Sequence, residues 1–236
     1  MNTIPVTIAV KKEHSTLATE VRWCTDIGMY ALDRNIENTC HHRTQFCEDN
    51  CYNNKLLNMY ADAMNGKDAR SEAAWQAGDV AGLAVKFGRS RKRQTQRARL
   101  MTRGEAFSTH ADIARVVKLA AGTPSTVWWI PTRAWRDASL RAAIVDTFAS
   151  VSNVVVLASM DPSNTRDEWQ ALHADGWATM YFGDDTLAET PDGQPLFKCP
   201  KTWGHVKGAC GTCKNGCFKA HTKPDSAPVN VHLSAH

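Results

Sequence analysis

A chain of 236 residues with 43% hydrophobic content and frequent tryptophan can bury a core without disulfide staples. No apolar run approaches the ~20 residues of a membrane helix, and the N-terminus MNTIPVTIAVKKEHS lacks the charged leader and cleavage site of a signal peptide. The expected location is therefore the cytoplasm, where thiols stay reduced and the eight cysteines remain available to metals.

In chain order, VTIAV reads as a strand and Ile27 to Leu32 as a second one leading into TCHHRTQFCEDNCYNN, which holds Cys40, Cys47 and Cys51. Leu56, Leu57, Met59, Tyr60, Ala63 and Met64 then fall near a helical period, and Asn65-Gly66 is expected to stop that helix. Another helical stretch is expected from Asp68 to Phe87, its boundaries blurred by Gly78 and Gly82. Lys86 to Arg103 carries eight basic residues and no acid, which suits either phosphate binding or a solvated connection.

From Arg99 the pattern is regular: strand RLM, a helix with Ile113, Val116, Val117 and Ala120, strand TVWWI, then a helix with Leu140, Ile144, Val145 and Phe148. Strand NVVVLA, a helix around Glu168 to Leu172 and strand WATMYF follow. Such alternation implies a parallel sheet with right-handed crossovers. Gly104 and Glu105, Thr132 and Arg133, Ser159 and Asp161, and Gly183 and Asp184 all lie just past predicted strand ends, which in parallel sheets and barrels converge on one ligand-binding face. Adjacent Trp128 and Trp129 must face opposite sides of their strand. The final residues, 221–236, read as an extended tail, with His232 and His236 in it.

The cysteines form two groups. Cys199, Cys210, Cys213 and Cys217, spaced C-x10-C-x2-C-x3-C, predict a closed metal site for either zinc or a [4Fe-4S] cluster, with Lys201, Lys207, Lys214 and Lys219 offsetting the thiolate charge. Cys40, Cys47 and Cys51, spaced C-x6-C-x3-C, either take a fourth ligand from Cys24, His41 or His42, or hold three irons of a [4Fe-4S] cluster and leave the fourth iron open. Spacing alone does not separate these two. His110 and His173 read as surface or packed histidines, and no Gly-rich phosphate loop or Ser-His-Asp pattern is present.

A cysteine triplet after an early strand, a helix, Gly104-Glu105 after the next strand and repeated strand-helix units resemble the radical S-adenosylmethionine (SAM) proteins. More narrowly, NTCHHRTQFCEDNCY, RLMTRGEAFST, WWIPTRAW, VVVLASMD and the final CPKTW and CGTCKNGCF segments resemble a phage family of iron-sulfur proteins, the gene product eighty-eight type. The resemblance covers roughly Ile27 to Phe218. It implies an α/β fold with a partial (β/α) barrel of about five or six mostly parallel strands over residues 1–198, a Cys-rich metal-binding segment over 199–220, and host cytoplasm as the location. It also implies that Cys40, Cys47 and Cys51 bind the cluster, that Gly104 and Glu105 meet the SAM ammonium, and that Arg133, Ser159 and Asp161 contact SAM or substrate. Radical SAM loops are usually C-x3-C-x2-C with an aromatic residue before the last cysteine; here Asn50 precedes Cys51 and Tyr52 follows it.

The expectation is an iron-sulfur enzyme that draws on an external electron donor and acts on nucleic acid or a nucleotide, with Arg89, Arg91, Lys92, Arg93 and Arg97 gripping phosphates. The alternative is a non-enzymatic nucleic-acid-binding or host-interaction protein whose iron-sulfur or zinc centres hold loops together.

Overall fold

The computed structural model describes residues 16–89, 97–204, 209–214, 216–218 and 229–234. The strand expected at VTIAV, the basic residues Arg91, Lys92 and Arg93, and Lys207, Lys219, His205 and His236 lie outside them. The chain forms α1 (Leu17–Glu20), β1 (Arg22–Cys24), β2 (Met29–Leu32), α2 (Ile36–Thr39), α3 (Gln45–Asp49), α4 (Tyr52–Ala77) and α5 (Leu83–Arg89). There follow β3 (Arg97–Leu100), α6 (His110–Gly122), β4 (Val127–Thr132), α7 (Ala138–Phe148), β5 (Val154–Met160), α8 (Arg166–Ala174) and β6 (Ala178–Gly183). β7 (Leu196–Lys198), α9 (Pro200–Trp203) and β8 (Asn230–Ser234) complete the chain.

The architecture is mixed α/β with one eight-stranded sheet in the order β1-β2-β3-β4-β5-β6-β8-β7. Only β1 runs antiparallel to its neighbour; every other pairing is parallel. From β2 to β6 the spatial order follows the chain order, so right-handed crossovers place the connecting helices on the same face, with no reversal to open a crevice between strands. The packing agrees. One core cluster joins Trp75, Phe87, Val116, Ile144 and Trp169 of the helices to Ala98, Leu100, Trp128 and Ile130 of the strands. A second, smaller cluster on the opposite face contains Ile27, Met29, Trp129, Leu157, Met180 and Phe218 and no residue of the longer helices. Trp128 and Trp129 thus bury their rings on opposite faces. Fully buried Trp75, Trp128 and Trp169 each contribute about 4–6 kcal/mol of transfer free energy by area.

Three expectations are corrected. Asn65-Gly66 does not stop a helix: α4 breaks its helical backbone earlier, at Tyr60 (φ −139°, ψ +37°), then runs through Asn65-Gly66 to Ala77 and ends at Gly78. Its second half is pinned by the buried Asp68–Arg103 ion pair, by Lys67 against Asp33, and by Trp75, whose indole nitrogen donates to Asp112 at 2.7 Å. Tertiary contacts there outweigh the unfavourable helix propensity of one Asn-Gly pair. The described residues alone form eight strands rather than five or six. Finally, residues 230–234 are no tail: β8 inserts between β6 and β7, pairs with both, and buries His232.

Candidate functional site

Because β2 to β6 are parallel, their C-terminal ends share one edge, and the cysteine triplet sits there. Cys40 follows α2 as its C-cap, Cys47 lies within α3, and Cys51 is the N-cap of α4. Three short turns therefore present three thiols in succession. Two threonines dock them. Thr39 Oγ1 accepts from the Glu105 amide at 2.9 Å, and Thr39 O accepts from Ser108 Oγ at 3.1 Å. Thr44, the N-cap of α3, accepts from the Cys47 amide at 3.0 Å and donates to Asp161 Oδ2 at 2.5 Å. Phe46 adds an edge contact to Phe182 of β6, with ring centroids 6.0 Å apart.

Facing the thiols are the residues expected at the strand ends. Glu105 is buried; its Oε1 accepts from Ala106 N at 2.7 Å, Phe107 N at 3.1 Å and Thr132 Oγ1 at 2.7 Å, and its Oε2 accepts from Arg133 N at 2.8 Å. Burial raises its pKa against those four hydrogen bonds. Gly104 is required for contact: φ is +81° and a Cβ would lie 2.6 Å from Arg34 O. Arg34 in turn grips Glu72 with two nitrogens at 2.7 Å each and donates to Glu105 O at 3.0 Å, tying the end of β2 to α4 and to the loop after β3.

Arg133 and Asp161 form the polar centre. Arg133 Nη2 pairs with Asp161 Oδ2 at 2.8 Å, the guanidinium also reaches the Cys47 sulfur, and Nη1 is buried without a nitrogen or oxygen partner. Asp161 Oδ1 accepts from Ser163 N at 2.9 Å and Ser163 Oγ at 2.5 Å. Burial alone would raise the Asp161 carboxyl, yet Ser163, Thr44 and Arg133 hold it below its ordinary value. Burial, Glu105 and the other two thiols push Cys40 up to about 12. Burial also raises Cys47, with Arg133 opposing. Ser159 sits on the sheet face opposite the long helices, and its carbonyl accepts from the Trp135 indole at 3.1 Å. Asp184, past β6, is exposed.

Of the candidate fourth ligands, His41 is exposed and His42 lies near Asp137, the N-cap of α7. Cys24 packs against the second apolar cluster together with Cys210 and Cys217, so it belongs with the other cysteine group.

That second group lies against the sheet face opposite the long helices. Cys199, at the end of β7, donates its amide to His232 O at 2.9 Å. Arg97 Nη1 donates to Cys210 O at 3.1 Å and to Cys213 O, and its guanidinium stacks 4.1 Å from the Phe218 ring centroid. Burial and Cys199 raise Cys210 to about 11, with Arg99 and Lys201 opposing; burial and the other three thiols raise Cys217 well above its ordinary value. None of the eight cysteines is in a disulfide. Among the described residues, no three His, Cys, Asp or Glu side chains stand at the spacing of a single metal ion. The thiols of each group are neighbours, not yet a coordination sphere.

Of the five described residues of the basic run, four are engaged. Lys86 donates to the carbonyls of Ala18 and Val21, Arg103 pairs with Asp68, Arg99 stacks 4.7 Å from the Trp129 ring centroid, and Arg97 is under the C-terminal segment. Arg89 is exposed at the end of α5. His110 bonds Ser139 at 3.1 Å, and His173 lies between Asp192 at 2.7 Å and Asn230 at 2.9 Å. Thr39, Thr44 and Arg34 were missing from the expected site. Only Thr44, a helix-start residue ahead of Gln45, carried a local signal.

No helix among the described residues is long and apolar enough to cross a membrane. A protein-family model described as Gene product 88 matches residues 8–223 of the chain. No curated protein and no solved structure matches it.

Proposed function

Since the chain belongs to the gene product 88 family, we propose on the family resemblance and its own residues that it is an iron-sulfur enzyme of radical-SAM type acting on a nucleic acid or nucleotide. The observation that carries this reading is the meeting of Cys40, Cys47 and Cys51 with Glu105, Arg133 and Asp161 at the C-terminal edge of a sequentially wound parallel sheet. The donor set fits the group. Three gathered thiols repel one another when ionised, and a strongly positive centre is what would relieve that repulsion.

Cys40, Cys47 and Cys51 would hold a [4Fe-4S] cluster, which with SAM and an external electron donor would supply one-electron cleavage of the sulfonium. The chain's own residues hold and orient. Thr39 fixes the loop just before Cys40 and Thr44 fixes it just before Cys47, and Arg133 keeps the Cys47 sulfur beside Asp161. The free Nη1 of Arg133 is a donor for a carboxylate or phosphate oxygen. Glu105 Oε2, with one donor bound, has room for one more, such as an ammonium. Helices on one sheet face and strands in chain order are what a partial barrel would need, and that closure is part of the proposal. A cytoplasmic setting suits reduced thiols.

Anaerobic purification should give a brown protein with iron and sulfide. With SAM and dithionite it should form 5′-deoxyadenosine; an intact cluster that yields none would sink the enzyme reading. One observation favours a second reading, a metal-stabilised nucleic-acid-binding or host-interaction protein: Glu105 already has four protein donors, as a purely structural carboxylate would. Glu105→Gln separates the two, since turnover of SAM should fall under the first reading while DNA affinity stays unchanged under the second.

A further inference from the structure

The sheet face without long helices needs a cover. Its apolar cluster of Ile27, Met29, Trp129, Leu157 and Met180 would otherwise meet water, and the described chain lays Phe218, Cys210 and Cys217 over it. Among the described residues of the covering segment, regular structure past the four-residue α9 consists of two three-residue 3-10 turns, Ala209–Gly211 and Gly216–Phe218. Turns that short do not order themselves.

What fixes the segment is therefore its ties to the sheet. One end hangs from β7, where the Cys199 amide bonds His232 O. The far end crosses to β3, where Arg97 holds the carbonyls of Cys210 and Cys213 and stacks on Phe218, while the Gly211 amide donates to Ile27 O at 3.1 Å. Gly216 turns the chain at φ +57° against the Phe197 ring, where a Cβ would lie 3.2 Å away. Every cysteine of the sequence pattern lies on this crossing, and α9 touches the first 3-10 turn so that Cys199 rejoins Cys210. None of the four thiols is in a disulfide; they are half-buried and repel one another when ionised, with Arg97, Arg99 and Lys201 among the cations beside them.

We propose that Cys199, Cys210, Cys213 and Cys217 form a closed four-thiolate metal site whose work is to strap residues 199–218 across the open face of the sheet. Binding draws the four sulfurs inward from their present neighbourhood and releases their protons to solvent. The site takes a thiophilic centre, a single zinc ion or a [4Fe-4S] cluster, since both accept four thiolates. The inference rests on residues separate from the triplet, so it stands or falls independently of the radical-SAM reading.

The test uses the full chain with Cys40, Cys47 and Cys51 all changed to Ser, stripped by chelator and titrated anaerobically with cobalt(II). Uptake of one equivalent, with the intense visible bands of tetrahedral thiolate cobalt, is expected. Loading should also suppress binding of the dye ANS and protease cleavage between residues 199 and 218, and a chelator should restore both. Cys213→Ser added to that chain should lose the tetrahedral spectrum, and Cys24→Ser should keep it. The same comparison on otherwise wild-type protein guards against a triple variant that folds poorly. Zinc, or iron with sulfide, in the purified chain identifies the centre. No tetrahedral spectrum, or equal dye binding and cleavage with and without metal, overturns the proposal.

Discussion

The two cysteine groups are held in opposite ways. The triplet stands on directional polar contacts: Thr39 to the Glu105 amide, Thr44 to Asp161, and Arg133 to Asp161 and Cys47. The quartet lies on an apolar surface, and the described polar ties of its segment run largely to backbone or exposed groups: Arg97 to two carbonyls, the Gly211 amide to Ile27 O, the Cys199 amide to His232 O, the Ser234 amide to Thr202 Oγ1, and Lys201 to the exposed Asp26. Directional contacts to buried side chains set positions without a metal, whereas apolar packing under irregular chain sets only proximity. Under the two proposals, the site meant for chemistry is built stiff by the protein, and the closed site would take its stiffness from the metal it binds.

The contrast breaks most sharply at Arg133. Arg133→Met leaves Asp161 buried beside Cys47 without its cation, and should cost about 3–5 kcal/mol in urea denaturation while leaving cobalt uptake by the quartet intact. Gly104→Ala comes next, at about 2–3 kcal/mol, because the Cβ meets Arg34 O at 2.6 Å in a left-handed conformation. Thr44→Val removes one helix cap and one hydrogen bond to Asp161 and should cost about 1–2 kcal/mol; Thr44→Ser should restore most of it. On the other side, Arg97→Met should cost only about 1 kcal/mol, yet it should speed alkylation of Cys210 in metal-free protein and leave Cys40 as slow as before.

The smallest effect is acid. The Asp161 carboxyl titrates below 3.8 in the fold, so its contribution is fully present above that ordinary value and is lost as pH falls through the lower folded value. Hydrogen exchange should show the triplet loop loosening in that acid range before residues 209–211, which are tied to the sheet through Arg97 and the Gly211 amide. Simultaneous loosening would erase the distinction between the two regions.

Much of the α/β pattern was legible because alternating strand and helix periods are local. Trp128 and Trp129, next to each other in one strand, had to face opposite sides of the sheet, and the structure buries both. The basic run was harder. Arg97 and Arg99 alternate with Ala98 and Leu100, a period of two that marks a strand, and that period turns both arginines toward the C-terminal segment. Charge density alone does not reveal a direction. Thr39 could not have been singled out at all, because its partner Glu105 is 66 residues away.

By itself the sequence determined which residues share an edge and which cysteines are grouped, since strand ends and short Cys spacings are consequences of local chain geometry. Tertiary structure alone decided that Cys24 joins the quartet's side, that α4 continues through Asn65-Gly66, and that Asn230–Ser234 enters the sheet. It also decided that Arg133 has one nitrogen left over beside the thiols. Those outcomes depend on partners distant in the chain, whose burial and pairing energies exceed any local preference.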